Sequence, residues 1–379
     1  MKDFEIAYFT LLMFLLFSTR FGGGLAYYSL NSRVIRVPTD YTTIQDAINA
    51  AGPGDLILVL VGIYNEHITV SKSIKLIGVN KATTIIDGGG NGKAITILSD
   101  DVLVDGFTIR NAERGIQIDG ASNVIISNNI IIGNNIGIYA ITSELKEGNL
   151  FARNIIANNG YVAIYSSNNS ILENSFIGGR IELVMCGGNE IHHNNFIDCN
   201  VLEDLITAPN FNNWTGNYWN TNVYQGIPGS DGDNQPLNTP YGYFPIIVEN
   251  DIYQVSLVSN STLSNIEFMQ VEKKMSFSIS GVIGTNGFFN VTIPKDLMRG
   301  EPWRVMVDSV DVTSQAVITE NQTHTSIHLT YVHSAHKVEL IGTWVIPEFP
   351  SISLLFTTIS LVTATVTFMR RFQKNMKSA

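Results

Sequence analysis

Cysteine is nearly absent from this chain. The 379 residues contain 2 cysteines, Cys186 and Cys199, too few for a scaffold stapled by disulfides. Charge is also scarce, at 15% of residues, and its balance is acidic, with Lys+Arg 23 against Asp+Glu 33 and a net charge of -10. No cluster of Lys and Arg stands outside the basic C-terminal tail. The chain therefore lacks the electrostatic footprint that a phosphate backbone requires, and nucleic acid is not an expected partner. Asparagine, by contrast, is abundant: 23 fall within residues 111–222. Asn competes for backbone hydrogen bonds and disfavours helices, so this density points to turns and stacked side chains.

The two ends read as export and anchoring signals. Residues 6–17 are apolar, follow Lys2, and are too short to span a bilayer comfortably. Small residues at Gly24 and Ala26 suit a signal peptidase, so residues 1–26 are expected to form a signal peptide. An uncleaved N-terminal anchor is the alternative. Residues 351–369 carry no charge and precede Arg370, Arg371, Lys374 and Lys377. A single C-terminal membrane span with a cytoplasmic basic tail is expected, leaving the body outside the cell. Before it stand Pro347, Glu348, Phe349 and Pro350. Residues 347–379 thus resemble the PEF-type sorting signals of archaeal surface proteins, which implies either retention of the span or its processing by a sortase-like enzyme.

Between the ends the sequence repeats. The segment beginning Asp101-Val102-Leu103-Val104 aligns with Asn123-Val124-Ile125-Ile126, and further copies begin near Asn149, Ser170 and Glu190. Each unit of about 21 residues holds short β-branched runs broken by Asn and Gly, the pattern of one solenoid coil. A coil cannot bury its own apolar face, so coils must stack. Asn129, Asn154, Asn174 and Asn195 recur at matching positions and are expected to form a structural ladder of side-chain amides. Cys186 and Cys199 are too close in sequence to lie one coil apart, so no disulfide is expected. Ile44, Ala47, Ile48 and Ala51 share a helical face after Thr43 and Asp46, and this helix is expected to plug the first coil. The fold expected is all-β: a right-handed parallel β-helix over residues 34–246 with an N-terminal capping helix. Alternating strands over 252–343 predict a small antiparallel β-sandwich, read as a stalk.

Several motifs carry a family resemblance. They are Tyr41-Thr42-Thr43-Ile44-Gln45-Asp46-Ala47-Ile48, Gly54-Asp55, Gly62-Ile63-Tyr64-Asn65-Glu66, Ile85-Ile86-Asp87-Gly88, Trp214-Thr215-Gly216-Asn217-Tyr218-Trp219 and Gly229-Ser230-Asp231-Gly232. Together they resemble the NosD-like branch of the pectin-lyase-like superfamily. The resemblance implies the β-helix and leaves function open, because that superfamily holds lyases, esterases, hydrolases and non-enzymatic proteins.

Three functional readings follow. In the first, a non-enzymatic surface module binds glycan or a surface-layer component through the aromatics Tyr139, Tyr165, Trp214, Tyr218 and Trp219; packing is the plain alternative for these rings. In the second, a polysaccharide lyase or hydrolase uses the carboxylates Asp100, Asp101, Asp105, Glu113 and Asp119, whose plain alternative is solvated turns. No complete lyase, esterase or polygalacturonase motif is present. In the third, the chain handles metal. Asp231 and Asp233 are candidate Ca²⁺ ligands. His324, His328, His333 and His336 cluster near an expected hairpin, and the NosD name suggests copper. His192 and His193 are expected on opposite faces of one strand. Sequons at Asn168, Asn213, Asn260, Asn290 and Asn321 are candidates for N-glycosylation.

Overall fold

The computed structural model describes residues 32–141, 148–184, 186–204, 212–221, 232–248 and 251–347. The expected signal peptide, the C-terminal span and most of the sorting motif lie outside these residues. Among the described residues no helix is long and apolar enough to cross a membrane.

The described residues between 34 and 219 wind into a parallel β-solenoid with three sheets. Three parallel sheets, here sheets 1, 2 and 3, contain nine, eight and seven strands. Each coil contributes one short strand to each sheet in turn, such as Ile125–Ser127, Ile130–Ile132 and Ile136–Ile141. The registers align equivalent apolar residues from coil to coil. On sheet 1, Ile57, Leu76, Val104, Ile126, Phe151, Ile171, Ile191 and Trp214 form one inward column. On sheet 2 the column runs through Ile86, Ile109, Ile131, Ile156, Phe176, Phe196 and Trp219. Its last members are rings stacked face to face, with centroids 5.2 Å apart for Phe176–Phe196 and 4.3 Å for Phe196–Trp219.

The helix Ile44–Ala50 plugs the first coil with Ile44, Ala47 and Ile48 buried. Thr43 Oγ1 accepts from the Asp46 amide at 3.0 Å. The Glu66 carboxylate accepts from the Ile44 and Gln45 amides, and Lys72 Nζ donates to the carbonyls of Ile48, Asn49 and Ala51. Charges of the right sign thus sit at both helix ends, where backbone groups would otherwise lack partners.

The corners carry the asparagines. At the turn from sheet 1 to sheet 2, the amide N–H of Asn129 donates to Asn154 Oδ1, Asn154 to Asn174, Asn174 to Asn194, Asn194 to Asn217, and Asn217 to Asp233 Oδ2. The fourth rung is Asn194 rather than the expected Asn195. The residue before each rung is left-handed (Asn128, Arg153, Glu173 and His193), which turns the next side chain inward. Asn195 begins the following strand and points outward, where its amide binds the backbone of Tyr241 and Tyr243. A second ladder, Asn134–Asn159, lines the turn from sheet 2 to sheet 3. A third, Asn149–Asn169–Asn189–Asn212, lines the turn from sheet 3 to sheet 1.

A β-sandwich follows, from strand Phe244–Val248 to Trp344–Val345, with two five-stranded sheets and one two-stranded sheet. Its packing departs from the stalk expected from sequence. Ile247 and Ile252 pack on Ile130, Ile132, Ile155 and Ala157, the outer side chains of sheet 2. Ile197 and Tyr218 join the sandwich core. Asn220 also binds the backbone of Ile266 through both amide atoms. The sandwich therefore lies along the flank of the β-helix, because the outer face of sheet 2 is apolar there and needs cover.

Candidate functional site

The outer face of sheet 3 remains outside this cover and carries a continuous row of polar and aromatic side chains. It is built from strands Arg114–Asp119, Ile136–Ile141, Tyr161–Tyr165 and Arg180–Val184. Alternation along strand Arg114–Asp119 sends Ile116 and Ile118 inward and Gln117 and Asp119 outward, and Arg114, at the start of the strand, reaches Gln117 with its side chain. The registers Gln117↔Tyr139, Tyr139↔Ala163 and Ala163↔Glu182 align one outer column across the four coils. Ala163 is the small member, and it is flanked along its strand by Tyr161 and Tyr165.

These side chains form one connected set. The Arg114 guanidinium lies over the Tyr139 ring, 4.2 Å from its centroid. Its Nη1 donates to Gln117 Oε1 at 2.6 Å, and Gln117 Nε2 donates to Asp119 Oδ2 at 3.2 Å. The buried Nε of Arg114 has no hydrogen-bond partner. Tyr139 and Tyr165 meet edge to face with centroids 5.6 Å apart. The Tyr165 hydroxyl donates to Glu182 Oε2 at 2.9 Å. Burial, then this bond to Glu182, pushes the Tyr165 phenol up to about 12, so it remains a neutral donor near pH 7. Glu182 is also paired with Arg180, whose guanidinium lies 5.7 Å from the Tyr161 centroid. Half-buried tyrosines whose rings are fixed by charged neighbours present apolar ring surface beside planar hydrogen-bonding groups. That combination suits a ligand with both CH faces and hydroxyls.

The structure brings together three sequence candidates here, Tyr139, Tyr165 and Asp119. It also adds Arg114, Gln117, Tyr161, Arg180 and Glu182, which the sequence reading missed. The available signal was the alternation in the third strand of each unit, which puts Tyr161, Ala163 and Tyr165 on one face.

The other aromatic candidates are corrected. Trp214, Tyr218 and Trp219 are 1%, 0% and 7% exposed, so none of them can stack on a surface ligand. Trp214 and Trp219 close the solenoid core, and Tyr218 lies under the sandwich. The carboxylates do not form one cluster. Asp100 accepts from the Ser122 amide and Asp101 sits in an exposed left-handed turn, both before sheet 1. Asp105 binds Ser127 and Asn128 at the next corner. Glu113 is exposed at the start of sheet 3.

The metal candidates fare similarly. Asp233 terminates the first asparagine ladder: its Oδ2 accepts from Asn217 N at 3.1 Å and Trp219 Nε1 at 2.8 Å, and its Oδ1 from Gln235 N at 3.2 Å. Those N–H groups occupy the oxygens that a Ca²⁺ ion would need. Asp231 lies outside the described residues. His192 and His193 do not face apart: the left-handed turn at His193 brings their Nδ1 atoms to 2.8 Å. His324 and His336 stand on strands of different sheets. His333 is buried, with Nε2 bonded to Ser261 Oγ and Nδ1 to Thr285 Oγ1. Burial pushes the Cys186 and Cys199 thiols up to about 12, so neither is a ready thiolate ligand, and both are free.

Of the sequon asparagines, Asn168, Asn213, Asn260 and Asn321 are exposed and Asn290 is half-buried. Asn213 Nδ2 donates to Glu190 and Asn260 Nδ2 to the Asn286 carbonyl.

Residues 62–226 match the family model described as periplasmic copper-binding protein (NosD). Over these residues the solenoid is similar to a NosD-like parallel β-helix. A relative named cell surface glycoprotein, from Methanothermus fervidus, is 32% identical over 124 residues, covering 32% of this chain. That match spans 20% of the relative's own length. Among solved structures, an alginate lyase from Paenibacillus sp. str. FPU-7 is similar at TM-score 0.38 and 15% identity, over 49% of this chain and 76% of that one. A pectin methylesterase bound to a hexasaccharide is similar at TM-score 0.32 and 14% identity, over 55% and 75% of the two chains.

The NosD description implies copper. Among the described residues no group of three or more His, Cys, Asp or Glu is placed to hold a metal ion. The ring nitrogens of His333 and the thiols are engaged or protonated as described above. The candidate donors among the described residues therefore do not fit copper.

Proposed function

We propose that the chain is a cell-surface β-helix protein that binds glycan on the outer face of sheet 3, without breaking bonds in it. The observation that carries this reading is the row Arg114–Tyr139–Tyr165–Glu182, which holds two tyrosine rings in fixed orientation on adjacent coils. Coils in such a stack rise by about 4.8 Å, the strand spacing of a β-sheet, so neighbouring sugar units of one chain can meet successive coils. A binding role fits better than hydrolysis because the carboxylates singled out from sequence are spread over the three corners of the coil rather than gathered to flank one bond.

Placement outside the cell is supported by the relative's name and by the signal-peptide and span patterns of residues 1–26 and 351–369. In this reading the body is extracellular, glycosylated and tethered by its C-terminal end. The partner is an extracellular glycan or surface-layer component.

The test is a polysaccharide and glycan panel probed with the full chain in detergent, with and without Ca²⁺, reading both retention and product release. Retention without products is expected, independent of Ca²⁺. Tyr139→Ala and Tyr165→Ala should each weaken it about 2- to 13-fold, at roughly 0.5–1.5 kcal/mol per aromatic contact, with unchanged unfolding transitions. Released oligosaccharides would overturn the non-enzymatic reading. Retention insensitive to both substitutions would move the site off sheet 3.

A further inference from the structure

A second cluster joins the three groups needed to form an amide between side chains. Lys81 stands in the turn between strands Lys75–Gly78 and Thr84–Asp87. Asp105 ends strand Leu103–Asp105, and Asn128 follows strand Ile125–Ser127. All three occupy the corner between sheets 1 and 2, in three successive coils. Lys81 Nζ donates to Asn128 Oδ1 at 2.9 Å, which brings the amine to the carboxamide group. Asn128 Nδ2 faces Asp105 Oδ1 at 3.4 Å, and Asp105 Oδ2 accepts from Ser127 Oγ at 2.6 Å. Asn128 is held in the left-handed region at φ 53°, a conformation that Asn tolerates better than most residues.

The setting favours reaction over a simple hydrogen bond. All three side chains are half-buried. Burial lowers the pKa of the Lys81 ammonium; Asp105 opposes this, and the charge of Arg153 adds to the lowering. A larger share of Lys81 is then the neutral amine, the form that can act as a nucleophile.

We propose that Lys81 and Asn128 are joined by an intramolecular isopeptide bond, formed with Asp105 as the proton carrier. The neutral Nζ attacks Asn128 Cγ and an Nζ–Cγ bond forms. Asp105 takes one proton from Nζ and delivers it to Nδ2. The Cγ–Nδ2 bond breaks and ammonia leaves. An amine and a primary amide become a secondary amide and ammonia, with no change of oxidation state and no added reagent. The link closes a loop of 47 residues and spans two coil-to-coil interfaces. It would constrain the unfolded chain as a disulfide does, in a protein whose two cysteines are unpaired.

The experiment is peptide mapping of the full purified chain by mass spectrometry after trypsin digestion. The expected result is one branched peptide joining the Lys81 and Asn128 segments, lighter by one ammonia than its two parts, with no cleavage after Lys81. Asp105→Asn should give the two separate peptides at unreduced mass while circular dichroism still reports the native sheet. Lys81→Gln supplies the unlinked reference. Separate linear peptides from the unmodified chain would overturn the proposal, and full linkage in Asp105→Asn would overturn the part assigned to Asp105.

Discussion

In the β-helix each inward side chain rests on its own equivalent one coil away, as in the columns ending at Trp214 and Trp219. In the sandwich, Phe277 from one sheet meets Phe289 from the other edge to face, with centroids 5.4 Å apart, and no position repeats another. The two regions also treat polar groups differently. The β-helix keeps Asn129, Asn154, Asn174, Asn189, Asn194 and Asn217 at 0–1% exposure. The sandwich core is mostly apolar, with Ser261, Ser276, Thr325 and His333 as its buried polar side chains among the described residues. The contrast has a geometric cause. A solenoid turns a corner three times per coil, and every corner leaves backbone amides and carbonyls facing the interior, where each needs a partner. A sandwich turns its corners in solvent.

Breaking a ladder rung should therefore cost more than the volume lost. Asn174 accepts from the N–H and Nδ2 of Asn154 and donates through Nδ2 to the Phe151 carbonyl and to Asn194 Oδ1. Asn174→Ala leaves several of these groups buried without partners. At ~1–3 kcal/mol for each orphaned group, a loss of roughly 3–6 kcal/mol is expected. Denaturant unfolding followed by circular dichroism measures it. A loss near 1 kcal/mol would mean that water or backbone shifts replace the rung and that the ladder is not what holds the corners.

The junction between the two regions offers a smaller test. Asn195 accepts from the Tyr241 amide and donates to the Tyr241 and Tyr243 carbonyls, fastening the segment that leads into the first sandwich strand. Asn195→Ala should cost about 1–2 kcal/mol, since Asn195 is buried but its partner residues Tyr241 and Tyr243 are exposed. Hydrogen exchange should show the loss in residues 241–248 and leave the ladder amides protected. Uniform loss across both regions would show that they unfold as one unit.

The same contrast decides what could be read from the sequence. Stacking repeats leave a period, so the β-helix, its capping helix and the Asn129–Asn154–Asn174 run were all legible. The doublet Asn194-Asn195 was not, because a period near 21 residues cannot choose between neighbours; only the left-handed turn at His193 does. The ladder Asn149–Asn169–Asn189–Asn212 escaped because its members stand at differing sequence distances from the preceding strands. Trp214, Tyr218 and Trp219 looked like surface rings because a two- or three-residue strand offers too little alternation to tell inside from outside. The sheet 3 face needed the register. Gln117, Tyr139, Ala163 and Glu182 share no residue type, and only strand pairing shows that they form one column. The docked position of the sandwich was hidden for a related reason: the apolar outer residues Ile130, Ile132 and Ile155 read as core like their inward neighbours.

The smallest expected effect lies on the sandwich and sets its electrostatics apart from the neutral amides of the ladders. His336 Nδ1 and Asp308 Oδ2 are 2.7 Å apart. The bond to Asp308 raises the His336 pKa above its ordinary 6.5, against burial. The same bond, then one from the Lys337 amide, lowers the Asp308 pKa below 3.8. A raised histidine pKa means that its contribution is complete below about pH 6.5 and fades as pH rises through the folded-state value. A lowered aspartate pKa means that its contribution is complete above about pH 3.8 and fades as pH falls through the folded-state value. The pair therefore stabilises most between these limits, and sandwich stability should decline on going from about pH 6 to pH 8. Asp308 is 52% exposed, so solvent screens the pair and the decline should stay under about 1 kcal/mol. Asp308→Asn should flatten that slope in sandwich unfolding while leaving the β-helix transition unmoved. A slope that persists in Asp308→Asn would place the titrating group elsewhere. A slope shared by the β-helix would mean that the interface at Asn195 and Ile130 couples the two regions more tightly than their different cores suggest.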